Sequence, residues 1–251
     1  MISTQPIIEV KDLNKQFKIC TDKGTTMRGA FVNMLNRKKT TQFQALTDVN
    51  FSVYPGEFIS IVGHNGSGKS TLLNILANVY QADSGEVTIK GKIAPFLGLG
   101  VGMMPELSGL DNIYLNGVIL GLTKQEIDSR LESIISFADI GNFIDVPLNN
   151  YSSGMRVRLA FATLIHADGD IFLMDEVLAV GDENFQKKCL LKFQDLLTQE
   201  KTIIFVSHAS NAVLTYSHKV LVLHHGHQMA FTNPTEAMTT YSSLMDQTPT
   251  A

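Results

Sequence analysis

Nine residues, Gly63-His64-Asn65-Gly66-Ser67-Gly68-Lys69-Ser70-Thr71, have the types and spacing to hold phosphate. They fit the pattern G-x-x-x-x-G-K-[ST]. Phosphate oxygens need a ring of backbone N–H donors, and glycines let the chain curl closely enough to supply one. Lys69 adds a point charge for the β- and γ-phosphates. The Ser70 hydroxyl suits Mg²⁺, a hard cation that otherwise keeps much of its water. The apolar run "EFISIV" precedes the loop and the helical run "STLLNILANVY" follows, which is the strand–loop–helix setting that such a phosphate loop requires.

A phosphate loop that does chemistry also needs carboxylates near the metal. In "GDIFLMDEVLAVGD" an apolar strand ends in Asp175 and Glu176, as expected of a strand beside the loop strand. Asp175 is assigned to the Mg²⁺ shell and Glu176 to the attacking water as general base. A second apolar strand, "TIIFV", ends in Ser207 and His208. Ligands of open α/β sheets bind at the carboxyl ends of the strands, so His208 is expected to contact the γ-phosphate or position water. His224, His225 and His227 follow the strand "KVLVL" in a glycine-containing turn. They could ligate a metal, but no cysteine or acid accompanies them, and a surface turn is the expectation.

A second anion site lies in "NNYSSGMRVRLAF", Asn149 to Phe161, where small hydroxyl and glycine residues precede a helical run. The first helical N–H groups have no intrahelical partners and point outward.

The elements that must position these residues follow from the hydrophobic pattern. Near-continuous apolar strands at "FISIV", "IFLMD" and "TIIFV" alternate with helical runs, which suits a parallel sheet covered on both faces. From about Met104 to Asn150 the periodicity is helical. Asn233, Pro234 and Glu236 have the order of N-cap, N1 and N3, so a terminal helix is expected there. The predicted fold is a single α/β domain over 1–251, with a mostly parallel sheet and an antiparallel β edge. Its nucleotide-binding core spans 1–96 and 157–231, interrupted by a helical subdomain at 97–156. Residues 232–251 form a C-terminal helix and tail.

Composition sets outer bounds. The 251 residues carry 20 Lys+Arg against 24 Asp+Glu, a net charge of −4, which argues against whole-surface attraction to nucleic acid. The two cysteines, Cys20 and Cys189, are far apart and read as free thiols in a reducing compartment. No apolar run has the roughly 20 residues needed to span a bilayer, and the N-terminus lacks the pattern of a signal peptide. Between Lys18 and Gln44, Lys23, Arg28, Arg37, Lys38 and Lys39 face one acid, Asp22. This run is either a solvated face or a contact for lipid headgroups or a membrane partner.

The phosphate loop, "YSSGM", "IFLMDE", Asp182 and "VSH" occur in the order found in ATP-binding subunits of ABC transporters, and the chain resembles that family from about Ile8 to Tyr241. "YSSGM" stands where the family has its signature LSGGQ; Tyr151, Ser153 and Met155 depart from it. The resemblance implies an ABC ATPase fold, ATP and Mg²⁺ as ligands, and a head-to-tail dimer. In that dimer Ser152 and Gly154 of one copy close over the nucleotide on the other's phosphate loop. It implies a D-loop role for Asp182 at the dimer seam, and adenine stacking for Phe17, which a core phenylalanine would match equally well. A glutamine usually couples the core to the membrane partner. Here "APFLGLGVGMMPELSGLDNIYLNG" has none, and carries Gly98, Gly100 and Gly102 instead.

The stretches "LGLGVGMMPELSGLDNIYLNG", "YSSGMRVRLAF" and "DEVLAVGDENFQKKC" resemble the polysaccharide-export branch, which moves O-antigen, capsule or teichoic-acid chains, often lipid-linked. The resemblance implies an integral-membrane permease as partner and a peripheral position on the cytoplasmic face of the inner membrane, with membrane contact through the permease. Some relatives continue into a carbohydrate-binding domain; with the sequence ending at Ala251, none is expected. The alternatives are a soluble ABC ATPase of DNA repair or translation, and a nucleotide-dependent regulator without turnover.

Overall fold

The computed structural model of the protein describes residues 5–20, 40–96, 102–175, 182–207 and 210–246. The strands are β1 Ile8–Cys20, β2 Thr40–Val53, β3 Phe58–Val62, β4 Ser84–Ile89, β5 Ile93–Phe96, β6 Ile171–Asp175, β7 Thr202–Val206, β8 Lys219–His224 and β9 His227–Thr232. The helices are α1 Lys69–Leu76, α2 Gly109–Ile119, α3 Lys124–Ala138, α4 Ser153–Ile165, α5 Glu183–Thr198, α6 Ser210–Tyr216 and α7 Pro234–Asp246.

The strands lie in the order β4-β1-β2-β9-β8-β3-β7-β6-β5. From β8 to β5 every pairing is parallel. At the other end β1 pairs antiparallel with both β2 and β4, and one parallel pair, Thr47 with His227, joins the two parts. The predicted parallel core with an antiparallel edge is therefore present. One expectation is corrected. The strand carrying Asp175 does not lie beside the loop strand β3, because β7 runs between them.

The apolar strands are covered on both faces, and their side chains sort with a period of two. Ile59 and Ile61 of β3, Leu173 of β6 and Ile204 of β7 pack with Leu72, Leu73 and Leu76 of α1. The alternate residues Phe58, Phe172, Met174, Ile203 and Phe205 face the opposite layer with Phe161, Phe185 and Phe193. Among the described residues strand β5 pairs only with β6; as an edge strand it accepts Pro95, whose missing N–H removes no ladder bond on the open side.

The helices predicted between 104 and 150 are α2 and α3. With α4 they enclose a third apolar cluster around Ile113, Ile127, Ile134, Leu148 and Leu159. Two boundaries are informative. Helix α1 stops at Leu76, short of the predicted Tyr80, where Asn78 takes a left-handed conformation. Helix α7 starts as predicted: Asn233 Oδ1 accepts the Glu236 N–H at 3.1 Å.

Phe161 of α4 links the layers. Its ring lies 5.9 Å from Phe137 of α3, 6.2 Å from Phe96 of β5, and 5.7 and 6.1 Å from Phe185 and Phe193 of α5. Phe161→Ala should lower unfolding free energy by about 3–5 kcal/mol, the range for deleting a buried aromatic. Denaturant titration checks this.

Candidate functional site

The phosphate loop leaves β3 at Gly63 and enters α1 at Lys69. Close contacts with neighbouring strands enforce its curl. A Cβ on Gly63 would lie 2.3 Å from the Leu223 carbonyl oxygen and 2.4 Å from Ser67 Oγ. Gly68 has φ 105°, and a Cβ there would meet the Ala45 carbonyl oxygen at 2.6 Å. Neither position admits a side chain. Ser67 N donates to the His64 carbonyl at 3.1 Å, and Gly226 N donates to the Ser67 carbonyl at 3.1 Å. Lys69 is buried, and its Nζ donates to the carbonyls of Gly63 at 2.8 Å and His64 at 3.0 Å. The loop thus curls around the ammonium that closes it.

In front of the loop is a cavity of about 330 Å³, lined by Phe43, Ala45, Asn65, Gly66, Gly68, Lys69, Ser70 and Thr71. Six of the predicted phosphate-binding residues meet here. Phe43 was not anticipated. It is 47% exposed and shares a face of β2 with Ala45, two residues on. That period-two signal was available in "QFQAL" had β2 been read as a strand. Phe17 is absent from the cavity lining. It pairs with Phe43 across β1 and β2 and meets Tyr80 edge-on at 5.5 Å, with Lys15 Nζ 5.4 Å from its ring centre.

The carboxyl edge of the parallel sheet collects further candidates. Asp175 ends β6 in register with Val206 of β7, so Ser207 lies at the same edge as the loop. Glu176 and His208 lie outside the described residues, as do Gly98, Gly100 and the basic residues at 23–39. Asp182 is the N-cap of α5, its Oδ1 accepting the Phe185 N–H at 2.9 Å. Cys189 is a buried free thiol on α5, pushed up to about 12 by desolvation, so it is inert at neutral pH.

The segment expected to form the second anion site begins α4. Ser152 is its N-cap, with Oγ accepting the Met155 N–H at 3.2 Å. Ser152, Ser153 and Gly154 are exposed, and the first turn carries no acid to occupy its N–H groups. Tyr151, where the signature has leucine, is buried, and its hydroxyl donates to the Phe143 carbonyl. None of these residues lines the phosphate-loop cavity.

Behind the loop, three imidazoles meet. The His64 ring lies 4.9 Å from that of His224 and 4.5 Å from that of His225; the latter two are 4.3 Å apart. Burial first, then the neighbouring His225 and His64, lowers the pKa of His224. The expected surface turn is present, but it packs on the phosphate loop.

A strand–glycine loop–helix unit on a parallel sheet, with a carboxylate at a nearby strand end, defines a P-loop nucleotide-binding protein. The chain belongs to the ABC transporter family, whose model matches residues 46–179. It is 44% identical over 243 residues to the ABC transporter protein AbcA of Aeromonas salmonicida, covering 96% of this chain and 78% of that protein. It is 42% identical to the O-antigen export system ATP-binding protein RfbB of Myxococcus xanthus, over 85% of this chain and 50% of that protein. Identity to the teichoic acids export ATP-binding protein TagH of Listeria innocua is 39%, over 87% of this chain and 64% of that protein. The chain thus spans half to two thirds of the length of these two export proteins. In fold it matches a dimeric ATP-binding cassette solved in a post-hydrolysis state with ADP and Pi, at a TM-score of 0.72 and 22% identity, over 90% of this chain and 98% of that one. Nucleotide binding and ATP hydrolysis are characteristic of the family. No helix among the described residues is long and apolar enough to cross a membrane.

Two substitutions test the cavity. Gly63→Ala should abolish nucleotide binding, because the added methyl collides with the Leu223 backbone carbonyl as well as with Ser67 Oγ. Phe43→Ala should weaken binding by about 1–3 kcal/mol if the ring stacks on the base, the range for base–aromatic contacts. Isothermal titration with ATP in both variants reads the losses.

Proposed function

We propose that this chain is the ATP-hydrolysing subunit of a transporter that exports a lipid-linked cell-surface polysaccharide. It would work at the cytoplasmic face of the inner membrane as a homodimer on an integral-membrane permease. The observation that carries the dimer is the separation of the two anion sites. The cavity in front of the loop contains no signature residue, while the start of α4 exposes Ser152, Ser153 and Gly154 with no acid in the first turn. Each half-site is complete when a second copy faces it.

In this reading the loop residues from Gly63 to Thr71 hold the triphosphate, with Lys69 turning from the loop carbonyls to the β- and γ-phosphates. The residues present suit Mg²⁺: a hydroxyl on the first turn of α1 and a carboxylate at a strand end are hard oxygen donors. Ser70 and Asp175 would hold it, and the ion supplies neutralisation of phosphate charge. Glu176 accepts the proton of the attacking water, and His208 orients the γ-phosphate. Ser152 and Gly154 of the second copy cap that phosphate, with the positive end of α4, worth about half an elementary charge, aimed at it. Asp182, already fixed as an N-cap, lies at the seam. Phe43 and Phe17, paired across two strands, supply the aromatic wall for the base.

The segment 97–156 acts as the arm that carries the signature. The permease contact falls to its start, where a glycine-rich stretch stands in place of the family's glutamine. Support for polysaccharide as cargo comes from the export proteins named above, which span most of this chain's length.

Glu176→Gln should retain ATP binding and lose about 10²–10⁴-fold in turnover, the usual worth of a general base. With ATP it should accumulate as a dimer by light scattering. Lys69→Ala and Ser152→Arg should each be inactive alone, and mixing them on the permease should restore measurable ATPase, since one of the two shared sites is then intact. An inactive mixture would rule out the head-to-tail arrangement. Purification of the chain with ribosomes or DNA instead of a permease would favour the soluble alternative.

A further inference from the structure

We infer that His64, His224 and His225 form a binding site for a divalent transition-metal ion, of which Zn²⁺ is the type, on the back of the phosphate loop. The ligating nitrogens of the three residues all lie within 4.8 Å of one another. Imidazole nitrogens suit zinc, copper and nickel, and a set without oxygen donors does not suit Mg²⁺.

The hydrogen bonding of His64 prepares it as a ligand. Its Nδ1 is 2.6 Å from the Asn65 carbonyl oxygen. A carbonyl only accepts, so Nδ1 carries the proton and donates. The lone pair of the neutral ring is then on Nε2. That Nε2 is buried and has no hydrogen-bond partner. An imidazole whose far N–H is anchored on a backbone carbonyl, with its near nitrogen unsatisfied, has the arrangement found in metal-bound histidines.

The other two ligands come from a tight hairpin. His224 pairs with His227 across β8 and β9, which leaves His225 and Gly226 as a two-residue turn with φ 47° and 82°. Both angles are positive, as in the turn that Asn-Gly ordinarily fills. Histidine occupies the asparagine position here, and its ring comes to 4.5 Å from that of His64. Tetrahedral coordination at the usual Zn–N distance of about 2.0–2.1 Å needs nitrogens about 3.3 Å apart. The exposed His225 side chain can close the remaining gap by rotation. Three protein ligands leave the fourth position to water.

The ion would join parts that are already stitched together. Gly226 N donates to the Ser67 carbonyl at 3.1 Å, and Thr47 N donates to the Gly226 carbonyl at 2.8 Å. A metal bridge from His64 to the turn adds a third tie between the loop, the β8–β9 hairpin and β2. None of its three ligands lines the cavity in front of the loop.

The test uses ZnCl₂ alone on the full, nucleotide-free chain, with millimolar Mg²⁺ present to occupy oxygen sites. Calorimetry should give one Zn²⁺ per chain, and the melting temperature should rise with it. His225→Asn keeps the turn conformation and should weaken binding at least tenfold and remove the thermal shift. His224→Gln should do the same. Absence of Zn²⁺ binding by the wild-type chain, or equal affinity in wild type and His225→Asn, would overturn the assignment.

Discussion

The phosphate loop can curl around an anion only because it is pressed against two backbone carbonyls. Leu223 of β8 lies against Gly63, and Ala45 of β2 lies against Gly68. Both approaches are too close for any Cβ, so the glycines are required by packing as well as by φ. The rest of the sheet serves this contact. Strand β8 reaches the loop because it pairs with β3 in parallel up to Val62 and Val222. Strand β2 belongs to the antiparallel layer and is brought in through the pairing of Thr47 with His227 and the Gly226 carbonyl. The junction between the two parts of the sheet is therefore where the loop is braced.

The same junction explains why the antiparallel layer is more than a lid on the core. It supplies Phe43 and Ala45 to the cavity wall, and its apolar residues Ile8, Val10, Leu13 and Val49 join Ile61 and Leu72 in one cluster. A change that loosened β1 or β2 would reach the nucleotide pocket through Ala45. The other end of the molecule is held differently. Helix α4 has Ser152 as its N-cap and Phe161 two turns later, inside the aromatic cluster. The exposed start of α4 is thus oriented by rings deep in the core.

Much of this was legible in the sequence, for physical reasons that differ from site to site. The loop and its flanking strand and helix were readable because phosphate binding needs glycine and lysine at fixed spacing. The three buried strands were readable as apolar runs, and the α7 start as a cap. Strand order was not. An apolar run shows that a strand is buried on both faces, but its neighbours depend on crossovers, and so β7 between β3 and β6 was missed. Phe43 was missed because the alternation of Gln42, Phe43, Gln44 and Ala45 is short and breaks at Leu46, which is buried next to Ala45. The end of α1 was overrun because Asn78 entering the left-handed region is a local choice that hydrophobic periodicity does not register.

The histidines show the limit most sharply. In sequence His64 is the second residue of a phosphate motif, and His224 and His225 are 160 residues away in a turn. Nothing in the spacing connects them. What connects them is the absence of a side chain at Gly63, which lets β8 approach the loop so closely that the hairpin beyond it lands on the loop's shoulder. Any residue at the second position of the motif must therefore pack against whatever the β8–β9 turn presents. In this chain both sides present imidazole, and two kinds of constraint, the fit of the loop and the ligands behind it, depend on one missing Cβ.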